Sequence, residues 1–98
     1  MPRPKRFRTI SNTPKETYFK PAGVMLNKME ITILNIEELE AIRLKDFLKL
    51  EQKECALKMN ISQPTFHRLL LSARKKISDS LVNGKAIKIE GGNYKFIK

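Results

Sequence analysis

Residues 52–71 carry the pattern that most restricts what this chain can fold into. Gln52-Lys53-Glu54-Cys55-Ala56-Leu57-Lys58-Met59 predicts a short helix with Ala56 at its packing point. Asn60 follows where the chain must turn sharply, through a left-handed conformation that Gly, Asn and Asp tolerate best. Ser62 offers a hydroxyl to cap the next helix, and Pro64 falls in its first turn, where a missing N–H costs nothing. On that second helix Phe66, Leu69, Leu70, Ala73, Ile77 and Leu81 share one stripe, leaving Gln63, Thr65, His67, Arg68 and Arg74 to face outward. Two helices joined this way make a helix-turn-helix. With hydrogen-bonding groups at its N-terminal end, the second helix can enter a DNA major groove and read base edges.

Ninety-eight residues suffice for one domain with a modest core. The net charge of +10 points to a polyanionic partner, and it is unevenly spread. Residues 1–30 carry a net +5, residues 31–60 a net −1 and residues 61–98 a net +6. A near-neutral middle between two basic ends is a patterned field, and its C-terminal excess coincides with the predicted recognition helix. The bland alternative is a solvated basic surface.

No stretch of about 18 apolar residues is present, so no membrane span is expected. The basic N-terminus has no apolar run after it, which argues against a signal peptide. Cys55 is the single cysteine, so no disulfide can form within the chain, in keeping with a cytoplasmic location. It is expected to be a small buried thiol, with Glu51 and Glu54 disfavouring a thiolate.

Residues 1–16 read as a basic extended arm, because Pro2, Pro4 and Pro14 oppose helix. Arms of this kind lie along phosphates or enter the minor groove, which makes Arg3, Lys5, Arg6 and Arg8 candidate phosphate contacts. Residues 17–98 form the domain proper. Ile31-Thr32-Ile33-Leu34 suggests a short strand. Asn35 with Glu38 three residues on is a helix-start signal, opening an amphipathic helix over about 36–48 on Ile36, Leu39, Ile42 or Arg43, and Phe47. Helices over about 51–59 and 63–82 follow, the last closed by Asn83-Gly84. Residues 86–97 alternate on either side of Gly91-Gly92-Asn93, which predicts a β-hairpin. The fold expected is mainly α: three to four helices, a basic arm and a short C-terminal hairpin.

One His and one Cys cannot supply a four-ligand zinc site, and Gly91-Gly92 precedes a strand rather than a helix, so no phosphate loop is formed. Glu37, Glu38 and Glu40 are read as a solvated first turn. No metal, cofactor or enzymatic centre is expected. What remains is a DNA-facing set. Gln63, Thr65, His67 and Arg68 are the candidate base readers, since Gln pairs bidentately with adenine and Arg with guanine. Ser62 at the helix N-terminus, with Arg74, Lys75 and Lys76 farther along, are candidate phosphate contacts. A plain exposed histidine is the alternative for His67.

Several segments resemble a known family. The opening Met-Pro-Arg-Pro-Lys is one, with Tyr18-Phe19-Lys20-Pro21-Ala22-Gly23 and Glu38-Leu39-Glu40-Ala41-Ile42-Arg43-Leu44. Ser72-Ala73-Arg74-Lys75-Lys76, Val82-Asn83-Gly84-Lys85-Ala86 and Ile89-Glu90-Gly91-Gly92 complete the likeness. Together they are similar to the domain-of-unknown-function 134 family of small bacterial and archaeal proteins. The middle of the chain is also similar to region 4 of bacterial sigma factors. The resemblance implies a DNA-binding transcriptional regulator. Some members carry cysteines in the basic arm where this chain has Phe7 and Ser11, so no metal or redox role transfers with it.

The expectation is sequence-specific binding of double-stranded DNA by a homodimer or higher oligomer, with the C-terminal strands as the paired edge. The rivals are a module docking on RNA polymerase or another protein partner through Glu37, Glu38 and Glu40, and an RNA-binding protein, which sparse aromatics disfavour.

Overall fold

Ser62 and Asn60 set the longest helix in place. In a computed structural model describing residues 7–11, 14–15, 17–92 and 94–96, Asn60 takes a left-handed conformation (φ 56°, ψ 46°). The chain then leaves helix α2 (Gln52–Met59) and starts helix α3 (Gln63–Asn83) only a few residues later. Ser62 Oγ accepts the Thr65 N–H at 3.2 Å, satisfying one of the otherwise open donors of the first turn. Gly84, left-handed at φ 67°, closes α3.

The helices pack through Cys55, Ala56 and Met59 of α2 and Phe66 and Leu70 of α3, with Ala41 and Leu44 completing the core. The buried line of α3 runs Phe66, Leu70, Ala73 and Ser80, so Leu81 lies off it and is 76% exposed, contrary to its expected place on the stripe. Helix α1 (Ile36–Ile42) continues into a π-helical turn, Arg43–Phe47, where the Leu48 N–H reaches back to the Arg43 carbonyl at 2.8 Å. One extra residue in that turn rotates everything after it. Leu44 keeps the ordinary helical spacing from Ala41 and is buried, whereas Phe47, expected on the core stripe, is turned out beside an open apolar groove that includes Phe19, Leu39, Ile42 and Ile89.

The fold is not mainly α. About half the chain is helical, and the rest is organised by strands. Strand β3 (Ile31–Leu34) pairs parallel with β4 (Ala86–Ile89), which also pairs antiparallel with β2 (Tyr18–Phe19). The sheet order is β2-β4-β3, with Leu34 and Ile89 packed on Ala73 of α3. A separate parallel pair joins β1 (Arg8–Ile10) to β5 (Tyr94–Phe96).

Two expectations fail on this topology. The strands of the C-terminal region do not form a hairpin with each other: β4 is the centre of one sheet and β5 pairs with β1. The Gly91 carbonyl instead accepts the Ile36 N–H, and Gly92 (φ 112°) passes so close to α1 that a Cβ there would lie 1.9 Å from Glu37 Oε1. The 1–16 arm is also not wholly extended from the domain, because Ile10 is fully buried and Arg8 is paired. Among the described residues no helix is long and apolar enough to cross a membrane.

Candidate nucleic-acid interface

The buried face of α3 decides what its other face can present. With Phe66, Leu70 and Ala73 turned inward, Gln63, His67 and Arg68 are exposed and Thr65 is half-buried, all within the first two turns. Ser62 Oγ, besides capping, donates to Thr65 Oγ1 at 2.8 Å, and Arg68 Nη2 donates to the same oxygen at 3.3 Å. Ser62, Thr65 and Arg68 are thus one hydrogen-bonded chain at the helix start. It holds the guanidinium over the first turn. Gln52, at the start of α2, brings its amide nitrogen to 3.2 Å from His67 Nδ1 and so joins the same face. Sequence reading passed over Gln52; its signal was a polar residue opening the helix just before α3.

The phosphate candidates divide. Lys75 is exposed and makes no ion pair among the described residues. Arg74 is engaged by Asp46, Nη2 to Oδ1 at 2.5 Å and Nε to Oδ2 at 3.1 Å. The Arg74 hydrogen bond holds the Asp46 carboxyl below its usual range, against a smaller opposing effect of burial, with Lys49 and Lys45 adding to it. Lys45, Lys49 and Arg74 therefore form a basic patch around one carboxylate, and the first two were not foreseen.

Lys76 is a structural residue. Its ammonium lies 2.7 Å from Glu38 Oε1, which also accepts the Asn35 N–H at 2.8 Å, while Ser72 Oγ donates to Oε2 at 2.6 Å. Arg8 likewise reaches Glu37 Oε2 at 3.5 Å. Arg3, Lys5 and Arg6 lie outside the described residues.

Glu37, Glu38 and Glu40 are not a solvated first turn. All three are at most 5% exposed, because α1 is enclosed by β1 on one side and α3 on the other. Burial alone would raise the Glu40 pKa. The Arg43 guanidinium at 2.8 Å and the Ser11 N–H and hydroxyl at 3.1 Å outweigh it and hold the carboxyl below its ordinary value of 4.5. Cys55 is buried as expected, and burial pushes its thiol up, away from the reactive thiolate. Among the described residues no group of three or more His, Cys, Asp or Glu is placed to hold a metal.

The chain belongs to the family described as protein of unknown function DUF134, whose model matches residues 1–97. It is 60% identical over 95 residues to a UPF0251 protein of Caldanaerobacter subterraneus subsp. tengcongensis, covering 97% of this chain and 80% of that one. A UPF0251 protein of Dehalococcoides mccartyi is 57% identical over 94 residues, covering 96% and 80%. One of Pelotomaculum thermopropionicum is 48% identical across 100% of this chain and 74% of its own. No solved structure matches.

Proposed function

We propose that the chain is a sequence-specific double-stranded DNA-binding protein acting as a transcriptional regulator, with α2 and α3 as a helix-turn-helix similar to that of sigma factor region 4. One observation carries this reading: Gln63, His67 and Arg68 stand exposed on the first two turns of α3, with Gln52 beside them and the opposite face locked into the core. The N-terminal end of a recognition helix is the part that meets base edges in the major groove. Gln63 and Arg68 are the side chains able to discriminate adenine and guanine bidentately there. Lys75, with Lys45 and Lys49, would meet the DNA backbone and fix position without reading sequence, while Arg74 is held by Asp46. The partner is DNA, and the role is binding rather than catalysis.

Docking on RNA polymerase through Glu37, Glu38 and Glu40 loses its support, since those carboxylates are turned inward onto Arg8, Lys76 and Arg43. The test is selection from a random duplex library, followed by binding to the enriched site and to random DNA. Gln63→Ala and Arg68→Ala should each cost about 1–3 kcal/mol on the selected site and little on random duplex. Failure of any sequence to enrich, or equal losses on both DNAs, would overturn the reading.

A further inference from the structure

The β2-β4-β3 sheet has an open edge at β3. In a parallel ladder, alternate residues give both N–H and C=O to the neighbouring strand. The Glu30 carbonyl accepts the Ala86 N–H at 2.9 Å and the Leu34 carbonyl accepts the Glu90 N–H at 3.1 Å, so Glu30, Thr32 and Leu34 face β4. Ile31 and Ile33 therefore turn their backbone donors and acceptors outward. Among the described residues no backbone group outside the sheet and no side chain hydrogen-bonds to them. The pairs Thr32–Ile87 and Leu34–Ile89 face the helices, which leaves the Ile31 and Ile33 side chains on the outer face, 42% and 40% exposed. Residues 31–35 include no charge and no proline, and the register with β4 is unbroken by a bulge. Charge, proline and bulges are among the devices that protect an edge, and of these β3 has none, only its shortness of four residues.

We propose that β3 pairs antiparallel with β3 of a second copy of this chain, across a two-fold axis at Thr32. The two three-stranded sheets then become one sheet of six strands. Ile31 opposes Ile33 of the second copy, and Ile33 opposes Ile31, so each outward N–H and C=O finds a partner. Thr32 faces its own counterpart at the non-hydrogen-bonded position between them. A second copy is the fitting occupant for two reasons. The outward groups are symmetric about Thr32, so the edge is complementary to itself, as an isologous contact requires. The strand is also neutral in a chain of net charge +10, so a partner drawn in by charge has nothing to hold along it.

Two isoleucines and a short ladder per copy fall well below the about 800 Å² per partner of a standard interface. Pairing is therefore weak in free solution and strengthens where two half-sites on one duplex hold the copies together. That consequence rests on the DNA-binding reading; the pairing itself does not. The C-terminal strands, expected to supply the dimer edge, do not offer β4 for it, since β4 is central in its sheet.

The test starts without DNA. Opposed Cα atoms at a non-hydrogen-bonded position lie about 4.5 Å apart, within disulfide range. Under mild oxidation the full-length Thr32→Cys chain should form a covalent dimer, whereas Ile33→Cys should do so far less. The wild type, whose single cysteine is buried, should not. Ile33→Lys should keep its circular dichroism, its melting temperature and its affinity for a single half-site, while raising the dimer dissociation constant in sedimentation by at least about tenfold. A Thr32→Cys chain that stays monomeric under oxidation, or self-association that Ile33→Lys leaves unchanged, overturns the proposal. Loss of half-site binding in every protein, the wild type included, would instead count against the DNA reading.

Discussion

Lys75 and Lys76 are neighbours in sequence with different surroundings, and surroundings decide what a charge is for. Lys75 points to solvent, whereas Lys76 compensates Glu38, a carboxylate that is 2% exposed. Lys76→Ala leaves that carboxylate with only Ser72 and the Asn35 N–H, so it should lower unfolding free energy by roughly 1–3 kcal/mol. Lys75→Ala should change stability by less than about 0.5 kcal/mol and weaken binding to selected and random DNA alike. Denaturant unfolding of both variants beside a binding titration checks the pair, and equal destabilisation would refute the division of labour. Glu40 makes a similar point through pH. Its folded pKa lies below 4.5, so its ionised form favours the native state above that value, and the contribution is lost as pH falls through the folded pKa. Stability should therefore decline on acidification. Glu40→Gln should be less stable than wild type at neutral pH but lose less on acidification, the remainder belonging to groups such as Asp46. Melting curves from roughly pH 3 to 7 would show it; parallel curves for the two proteins would exclude the effect.

Elements were legible in the sequence where their causes are local. Helix α2 and helix α3 fall where caps and periodicity put them, because Asn60, Ser62, Pro64 and Gly84 act on their immediate neighbours. The turn between them can be tested: Asn60→Gly should be close to neutral, while Asn60→Val forces a β-branched side chain into a left-handed conformation and should cost about 1–2 kcal/mol in thermal or denaturant unfolding. A harmless Val substitution would mean that the turn relaxes without its αL residue. What was not legible depends on partners distant in the chain. Residues 86–97 alternate as two strands should, and nothing local says that β5 pairs with β1 or that β4 takes β2 and β3. Glu37, Glu38 and Glu40 look like a solvated first turn because Arg8, Ser11, Ser72 and Lys76 lie far away in sequence. The π-helical turn that exposes Phe47 has no signature in the periodicity, which reads equally well through a straight helix. The candidate base readers share a short local segment, so their common stretch of α3 could be read from the sequence; Lys45 and Lys49 needed the fold to bring them beside Arg74.

At the scale of the whole molecule, the proposed DNA binding makes the folded charge distribution the thing that decides how salt will act. Each phosphate contact releases condensed counterions, so the slope of log affinity against log salt is about −0.9 per contact. Counting every predicted cation would overstate that slope. Arg8 and Lys76 are held by buried glutamates, and Arg74 is held by Asp46. Lys75, Lys45 and Lys49 remain as candidates, with Arg3, Lys5 and Arg6 as the further candidates the sequence offers. Roughly four to six contacts per copy then predict a slope near −4 to −5. Asp46 is the group that can change this number. An exposed pair of this kind contributes little to stability, about 0–1 kcal/mol, so Asp46→Asn should fold normally while releasing Arg74 toward the duplex. The variant should bind random DNA more tightly at low salt, and its slope should steepen by about one. Titrations over a range of salt concentrations on both proteins decide it: an unchanged slope removes Arg74 from the phosphate backbone, and a wild-type slope near zero removes the electrostatic account of binding altogether.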